Sequence, residues 1–177
     1  MMSTIDQNDL SQDNRAVDVS TAETQYRVQC DDVRLFSSLL RPLMDEDGEQ
    51  ENSRFSFKIS AFIHNNEAQS QLETQVVYVT DSESDEIRGY FLRFGFLAKF
   101  IAGDKINPEE MSDFASLYTL SILWPYAREY ASDQLRRTGE KFISLPIINP
   151  QVVTEHLIEE DLVEIIILDN SSDEETG

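Results

Sequence analysis

The hydrophobic pattern changes its period at Gly103, and this change constrains the fold more than any other feature of the sequence. Before Gly103, apolar and polar residues alternate in four segments, as they do in half-buried strands. After it, apolar residues recur every three to four positions, as on one face of a helix. Strands followed by helices predict an α+β fold, with a four-stranded antiparallel sheet (a meander or Greek key) preceding the helices.

The four alternating segments, residues 25–40, 54–65, 72–80 and 87–101, are separated by polar or acidic breaks. The alternation shifts near Asp31 and Asp32, which predicts a β-bulge there. The acidic turn at 81–86 predicts a hairpin between the third and fourth strands. One face of the second strand collects Phe55, Phe57, Ile59, Ala61 and Ile63, and one face of the fourth collects Tyr90, Leu92, Phe94, Phe96, Ala98 and Phe100.

Two helices are predicted after the sheet. The first begins with Asn107 as its N-cap and Pro108 as its first residue, and it runs to a glycine stop at Gly139. Pro125 interrupts this helix at a cost of roughly 3 kcal/mol, so a kink is expected there. The second helix begins after an Asn149 cap. Its end is ambiguous, because residues 162–168, "LVEIIIL", are rich in β-branched residues and also fit a strand.

Length and charge limit the classes of function. A chain of 177 residues fits one domain, which we place at 25–160, between an acidic, disordered lead-in at 1–24 and an acidic tail at 161–177. The net charge of −20, with 14 basic against 34 acidic residues, argues against nucleic-acid binding. The N-terminus lacks the features of a secretion signal, and no apolar run of about 18 residues suggests a membrane span. We expect a cytoplasmic protein without membrane insertion.

Catalytic and metal-site templates find no match in the sequence. The single cysteine, Cys30, lies in an alternating strand, and His64 and His156 lie far from it and from each other, so no metal site or Cys-His nucleophile is indicated. The glycines form no phosphate-binding loop. Carboxylates are too numerous to single out a catalytic pair, which leaves an acidic hydrolase only as a remote alternative. The sequence therefore predicts a protein that is not an enzyme and has no cofactor.

A family resemblance is carried by residues 122–153, "ILWPYAREYASDQLRRTGEKFISLPIINPQVV". This stretch resembles the signature region of the SecB export chaperones, which have an "ILFPYARE" helix, an "RG" turn and an "LPPVNFDALF"-like segment that opens the last helix. With the preceding strands, which match by pattern only, the resemblance covers about residues 25–160. The matching residues are Ile122, Leu123, Pro125, Tyr126, Ala127, Arg128, Glu129, Arg137, Gly139, Leu145, Pro146 and Asn149.

The resemblance implies an ATP-independent holdase that binds unfolded or pre-secretory polypeptides in apolar grooves of a homotetramer, a dimer of dimers. The implied groove is bounded by the loop between the first and second strands, the second strand and the last helix. An ordinary buried core explains the candidate residues equally well. The groove candidates are Phe55, Phe57, Ile59, Val152, Val153 and Leu157. The candidates for the oligomer interface are Trp124, Pro125, Tyr126, Arg128, Glu129 and Tyr130, with Arg128 and Glu129 expected to form ion pairs across it.

The sequence also departs from the SecB pattern. Positions where that family presents acidic residues to the SecA motor align with Leu35, Leu39, Tyr90 and Leu92, so SecA docking is not matched. A dedicated SecB-like chaperone or adaptor for one partner, such as the antitoxin of a toxin–antitoxin system, is therefore the alternative to a general export chaperone. The segment 162–168 has no counterpart in the family. It is expected either to add a strand to an exposed edge or to lie in the groove as an internal placeholder.

Overall fold

The computed structural model describes residues 27–44, 52–80, 88–103, 106–139 and 144–168. The predicted lead-in at 1–24 and the acidic turn at 81–86 lie outside the described residues. The elements follow one another in the order β1 (Val28–Pro42), β2 (Arg54–His64), β3 (Glu67–Thr80), β4 (Arg88–Ala102), α1 (Pro108–Arg136), α2 (Pro150–Glu159) and β5 (Val163–Ile167).

The strands form one sheet in the order β1-β4-β3-β2-β5. β2, β3 and β4 are successive antiparallel neighbours. β1, which precedes them in sequence, lies antiparallel beside β4 on the far side from β2, and this gives the Greek-key-like arrangement. The predicted α+β class is thus confirmed. The structure adds a fifth strand to the four predicted, because β5 pairs in parallel with the outer edge of β2.

Strand irregularities lie partly where the alternation predicted them. The register of β1 against β4 shifts between Cys30 and Asp32, which confirms the predicted bulge, and again between Leu35 and Ser37. The β2–β3 hairpin turns at two residues that follow His64, and Asn65 has a φ of 53°. Asparagine tolerates this left-handed conformation better than most residues do. The β3–β4 pairing extends to Thr80 opposite Arg88, which confirms the second hairpin.

The core lies between one face of the sheet and α1. The alternating face of β4 is buried there, including Phe94 and Phe100 at 0% exposure, and it meets the apolar stripe of α1. Phe100 and Phe114 form an edge-to-face pair with ring centroids 5.3 Å apart, a favoured aromatic geometry. On β2, Ile59, Ala61 and Ile63 are fully buried on this same face, as the alternation predicted.

Local sequence signals set the ends of α1. The Asn107 side chain accepts a hydrogen bond from the Glu109 N–H at 2.7 Å, and the Glu110 carboxylate accepts one from the Asn107 N–H at 3.4 Å, forming a capping box. The chain is helical on both sides of Pro125, whose ring is exposed. Beyond the last turn, Gly139 takes the left-handed conformation with a φ of 85°, the role predicted for it.

A tight turn joins α2 to β5. The Leu162 N–H donates to the Leu157 carbonyl at 2.8 Å, and the Asp161 N–H donates to the Ile158 carbonyl at 3.2 Å. Asp161 has a φ of 56°, in the left-handed region that glycine adopts most easily. This turn reverses the chain at the end of the helix and delivers residues 163–167 to the edge of β2.

Candidate functional site

An aromatic cluster, which we define as Phe55, Phe57 and Trp124, lies where β2 begins. The rings of Phe55 and Phe57 are stacked with centroids 6.2 Å apart, and they lie 5.7 and 5.4 Å from the Trp124 ring. Trp124 is 4% exposed, Phe57 is half-buried and Phe55 is 36% exposed. The cluster therefore has a buried base on α1 and an apolar surface that is open to solvent on β2.

Hydrogen bonds from one side of α1 hold the segment that leads to α2. The Trp124 indole N–H donates to the Pro146 carbonyl at 3.2 Å, and Arg128 Nε donates to the Leu145 carbonyl at 2.9 Å. One turn further along, the hydroxyl of Ser132 bonds that of Ser144 at 2.9 Å. Residues four apart lie on one face of a helix, so three successive turns fix this segment. Sequence reasoning missed this intrachain role.

The other predicted interface residues on α1 lie at or near the surface. Pro125, Tyr126 and Glu129 are exposed, Tyr126 at 47%. The half-buried Tyr130 donates its hydroxyl hydrogen to Ser38 Oγ at 2.6 Å, which connects α1 to β1. Their role between copies of the chain stays a prediction, as does the expected ion pairing of Arg128 and Glu129 there.

The six groove candidates are not placed alike. Phe55 and Phe57 contact each other and Trp124, whereas Ile59 is fully buried in the core. On α2, Leu157 is 5% exposed and Val153 packs against the core, but Val152 is 58% exposed and lies off this buried stripe. Among the six, Phe55 and Phe57 thus combine apolar surface with direct contact to Trp124.

The outer edge of β2 is covered over only part of its length. β5 pairs with residues 59–63, and no other strand in the described ranges pairs with this edge, so residues 54–58 have a strand partner only on the β3 side. The Ile59 N–H donates outward to the Leu162 carbonyl at 3.3 Å, and the Ile63 carbonyl accepts from the Leu168 N–H at 2.8 Å. Backbone direction repeats every two residues, so the N–H and C=O groups of Phe55 and Phe57 point outward as well.

We call residues 54–58 the open edge. Unpaired strand backbone of this kind is a template for adding another strand. Its outward backbone groups belong to the two phenylalanines of the aromatic cluster, so hydrogen-bonding groups and apolar surface lie together. Sequence reasoning missed the open edge. The alternating segment at 54–65 is longer than the run at 162–168, but this difference could indicate an uncovered edge only once the two segments were known to pair.

Charged residues on the opposite face of the sheet are arranged in pairs. Lys58 Nζ lies 2.8 Å from Glu164 Oε2, Arg93 lies 3.5 Å from Glu73, and Lys99 lies 3.1 Å from Glu67. The hydrogen bond to Glu164, together with the charge of that carboxylate, raises the pKa of Lys58. Within the described ranges, no three His, Cys, Asp or Glu side chains are grouped so that they could hold a metal ion.

A second apolar surface lies on β1, the other edge of the sheet. Leu35, Phe36 and Leu39 are 40%, 43% and 50% exposed. In the described part of the chain, β1 pairs only with β4, so its outer backbone edge faces away from the sheet. Four residues of this chain align with the positions where the SecB family presents acidic residues to SecA. Of these four, Leu35 and Leu39 are at the surface, whereas Leu92 is fully buried and Tyr90 is half-buried.

Cys30 lies near the start of β1 and is exposed as a residue. Partial burial of its thiol and the neighbouring carboxylates of Asp32 and Asp31 raise the pKa of Cys30, while a hydrogen bond with the backbone of Asp32 opposes the shift. A raised pKa disfavours the thiolate, which is the reactive form.

No helix among the described residues is both long enough and apolar enough to cross a membrane.

Comparisons of sequence with known families and with curated proteins gave no match. Comparison of the fold with solved structures did. The chain is similar to the Mycobacterium tuberculosis SecB-like chaperone Rv1957, solved in complex with a ChAD peptide from the antitoxin HigA1 (Rv1956). The identity is 19% and the TM-score 0.57, over 73% of this chain and 97% of that one. A Streptococcus agalactiae protein of unknown function has a TM-score of 0.44 at 12% identity, over 68% of this chain and 97% of its own. The similarity to Rv1957 shows that the chain has a SecB-like fold.

Proposed function

We propose that this chain is an ATP-independent chaperone, a holdase that binds unfolded or pre-secretory polypeptides along the aromatic cluster and the open edge of β2. The observation that carries the proposal is the juxtaposition of these two features at Phe55 and Phe57. Backbone hydrogen bonds to a strand edge require an extended partner but no particular sequence. Apolar side chains of the client add roughly 25 cal/mol for each Å² that they bury.

The charge of the chain suits a holdase. A net charge of −20 keeps a loaded, partly apolar complex soluble through mutual repulsion. The same field attracts basic clients and speeds their association at low ionic strength. We expect the protein to act in the cytoplasm and to need no cofactor.

We further propose that the working form is a homotetramer, assembled as a dimer of dimers. The outer edge of β1, with its exposed leucines and Phe36, is suited to antiparallel pairing with a second copy. The exposed Tyr126 and Glu129 of α1 lie on a different element and are suited to the second contact. Two distinct surfaces on one chain are what a dimer of dimers requires.

The second candidate function is a dedicated chaperone or adaptor for one protein partner, not coupled to SecA. Two observations favour it. Leu35 and Leu39 are exposed and align with acidic SecA-docking residues of the SecB family, but they carry no charge. The structurally similar Rv1957 was solved in complex with a peptide from an antitoxin, so a chain of this fold can bind a defined protein partner.

An aggregation assay separates the two candidates. Reduced, carboxamidomethylated lysozyme and reduced, carboxamidomethylated α-lactalbumin are unfolded chains that keep their native charges, one basic and one acidic. A general holdase binds both without nucleotide and suppresses heat aggregation of several unrelated proteins at stoichiometric amounts, with the basic chain bound more tightly. If neither unfolded chain binds at micromolar concentrations, the general holdase is contradicted, and the dedicated chaperone or adaptor remains as the candidate function.

A further inference from the structure

We propose that β5 occupies the position of a client strand, and that a client displaces it from residues 59–63 of β2. This inference rests on the proposed binding function and adds to it an internal competitor. In this account the chain has two interchangeable states: β5 pairs with the edge in the free protein, and an extended client pairs with the same edge in the complex.

The topology of β5 favours its displacement. It is parallel to β2, whereas every other pairing in the described sheet is antiparallel. It lies at the end of the strand order, so its departure leaves the β1-β4-β3-β2 ladder intact. It is also connected through the α2 turn and not through a hairpin. An edge strand of five residues held this way can leave without breaking the contacts between the other four strands.

The side chains of β5 also favour its displacement, because they resemble those of an extended apolar client. Val163 and Ile165 pack against the core, on the side where a client would contact the apolar face of β2. The segment nevertheless remains partly open, with Leu162, Ile167 and Leu168 41%, 43% and 50% exposed. The side-chain ion pair between Lys58 and Glu164 is exposed to solvent, where such pairs contribute little. β5 is thus bound in the way a holdase binds a client, with incomplete burial.

The open edge supplies the route for exchange. A client that pairs first with residues 54–58 lies end to end with β5, directly before the Leu162 carbonyl that accepts from Ile59. From there it can extend along β2 by replacing β5 one residue pair at a time. Each backbone hydrogen bond that β5 gives up is made again by the client, so no buried polar group of the edge stays unpaired during the exchange.

A disulfide between β2 and β5 tests this exchange in the full chain. Ser60 and Glu164 are register partners on the solvent-facing side, and neighbouring strands bring such residues within disulfide range. We would make S60C/E164C in a C30S background and measure its affinity, oxidised and then reduced, for fluorescein-labelled lysozyme that has been reduced and carboxamidomethylated. The matched control is Q75C/R93C, which joins two interior strands, β3 and β4, without touching β5.

The expected result is at least tenfold weaker binding when the β2–β5 disulfide is closed, full recovery on reduction, and no redox effect in the control. Equal affinity in the oxidised and reduced states would overturn the exchange while leaving the binding function in place. Tighter binding with the disulfide closed would overturn it too, since β5 would then form part of the binding platform. Absence of binding by the reduced protein would contradict the proposed function itself, and with it this inference.

Hydrogen exchange of the unmodified chain gives an independent readout. When the same unfolded lysozyme is added, the amides of Glu164, Ile166 and Leu168, which lie on the β2 side of the strand, should lose protection, whereas those of Ile59 and Ala61 should keep it because the client now accepts their hydrogen bonds. Unchanged protection at these three amides in a saturated complex would contradict displacement.

Discussion

Lys58 on β2 and Glu164 on β5 are joined by an ion pair of 2.8 Å, so the second strand of the sheet is connected directly to the last strand of the chain. The two residues are separated by 106 positions in sequence and flank the point where the covered part of the β2 edge begins. Because the pair is exposed to solvent, it contributes little to the stability of the fold, and its main effect is to favour this register of β5 against β2.

The ion pair between Lys58 and Glu164 should be visible in the titration of the lysine. The hydrogen bond and the charge of Glu164 raise the pKa of Lys58 above its ordinary value of 10.5. A raised folded-state pKa gives a stabilisation that is fully present below the unfolded pKa and is lost as the pH rises through the folded one. E164Q removes the charge that raises the pKa of Lys58. An NMR titration of the Lys58 side chain should therefore show a lower pKa in E164Q than in the unmodified chain. An identical pKa in the two proteins would mean that the pair does not form in solution.

Arg128 is predicted to stabilise the fold through its backbone contact. In R128A the Leu145 carbonyl loses its donor at 2.9 Å in a partly buried setting, and the free energy of unfolding should fall by about 1–3 kcal/mol. The matched control is R137A. Arg137 pairs with Asp133 at the surface, with its side chain 70% exposed, so its removal should cost at most about 0.5 kcal/mol. Urea unfolding of both variants measures the difference, and equal losses would contradict the assignment.

Two buried threonines should respond in opposite ways to the same substitution. Thr74 and Thr119 are both fully buried, but Thr119 donates to the Ala115 carbonyl at 2.6 Å, whereas the Thr74 hydroxyl has no partner among the described residues. T74V should leave the stability unchanged or raise it by about 1 kcal/mol, because it removes an unsatisfied hydroxyl. T119V should lower it by about 1 kcal/mol. Thermal unfolding of the two variants measures the difference in stability, and a loss in T74V as large as in T119V would contradict the prediction.

The proposed assembly predicts two separable contacts. Y126K places a charge on the exposed surface of α1, so a tetramer should dissociate into dimers that still pair through β1. The control is I158K, a comparable change at a residue of α2 that is 49% exposed. Size-exclusion chromatography with light scattering reads the mass directly. A monomeric unmodified chain, or tetramers in both variants, would contradict the assignment of Tyr126 to an interface.

The parts of the fold that follow from neighbouring residues could be predicted from the sequence. Alternation identified the buried faces of β2 and β4, the Asn107 signal placed the start of α1, and the shift near Asp31 located a bulge. Each depends on the period of apolar residues or on a side chain that bonds its own backbone neighbours, so local sequence is sufficient.

The missed features depend on which distant segments meet. Nothing near Trp124 indicates that its indole will find the carbonyl of Pro146, because that depends on the path of the chain between the helices. The strand character of 163–167 was visible, but its parallel pairing with β2 was not. The open edge is a difference in length between two strands that are brought together only by the fold. For the same reason, sequence reasoning grouped Ile59 with Phe55 and Phe57, although Ile59 is fully buried.

The central claim, that unfolded polypeptide binds at the aromatic cluster, is tested most directly by two Phe→Ala variants of the sheet. Phe57 and Phe91 are both half-buried, but Phe91 belongs to β4 and lies on the opposite face of the sheet, and of the two only Phe57 contacts Trp124. Titration of labelled, reduced and carboxamidomethylated lysozyme should show that F57A weakens binding about tenfold, or about 1.4 kcal/mol, while F91A stays within about twofold of the unmodified chain. Equal affinities for F57A and the unmodified chain, with both variants folded, would contradict the claim.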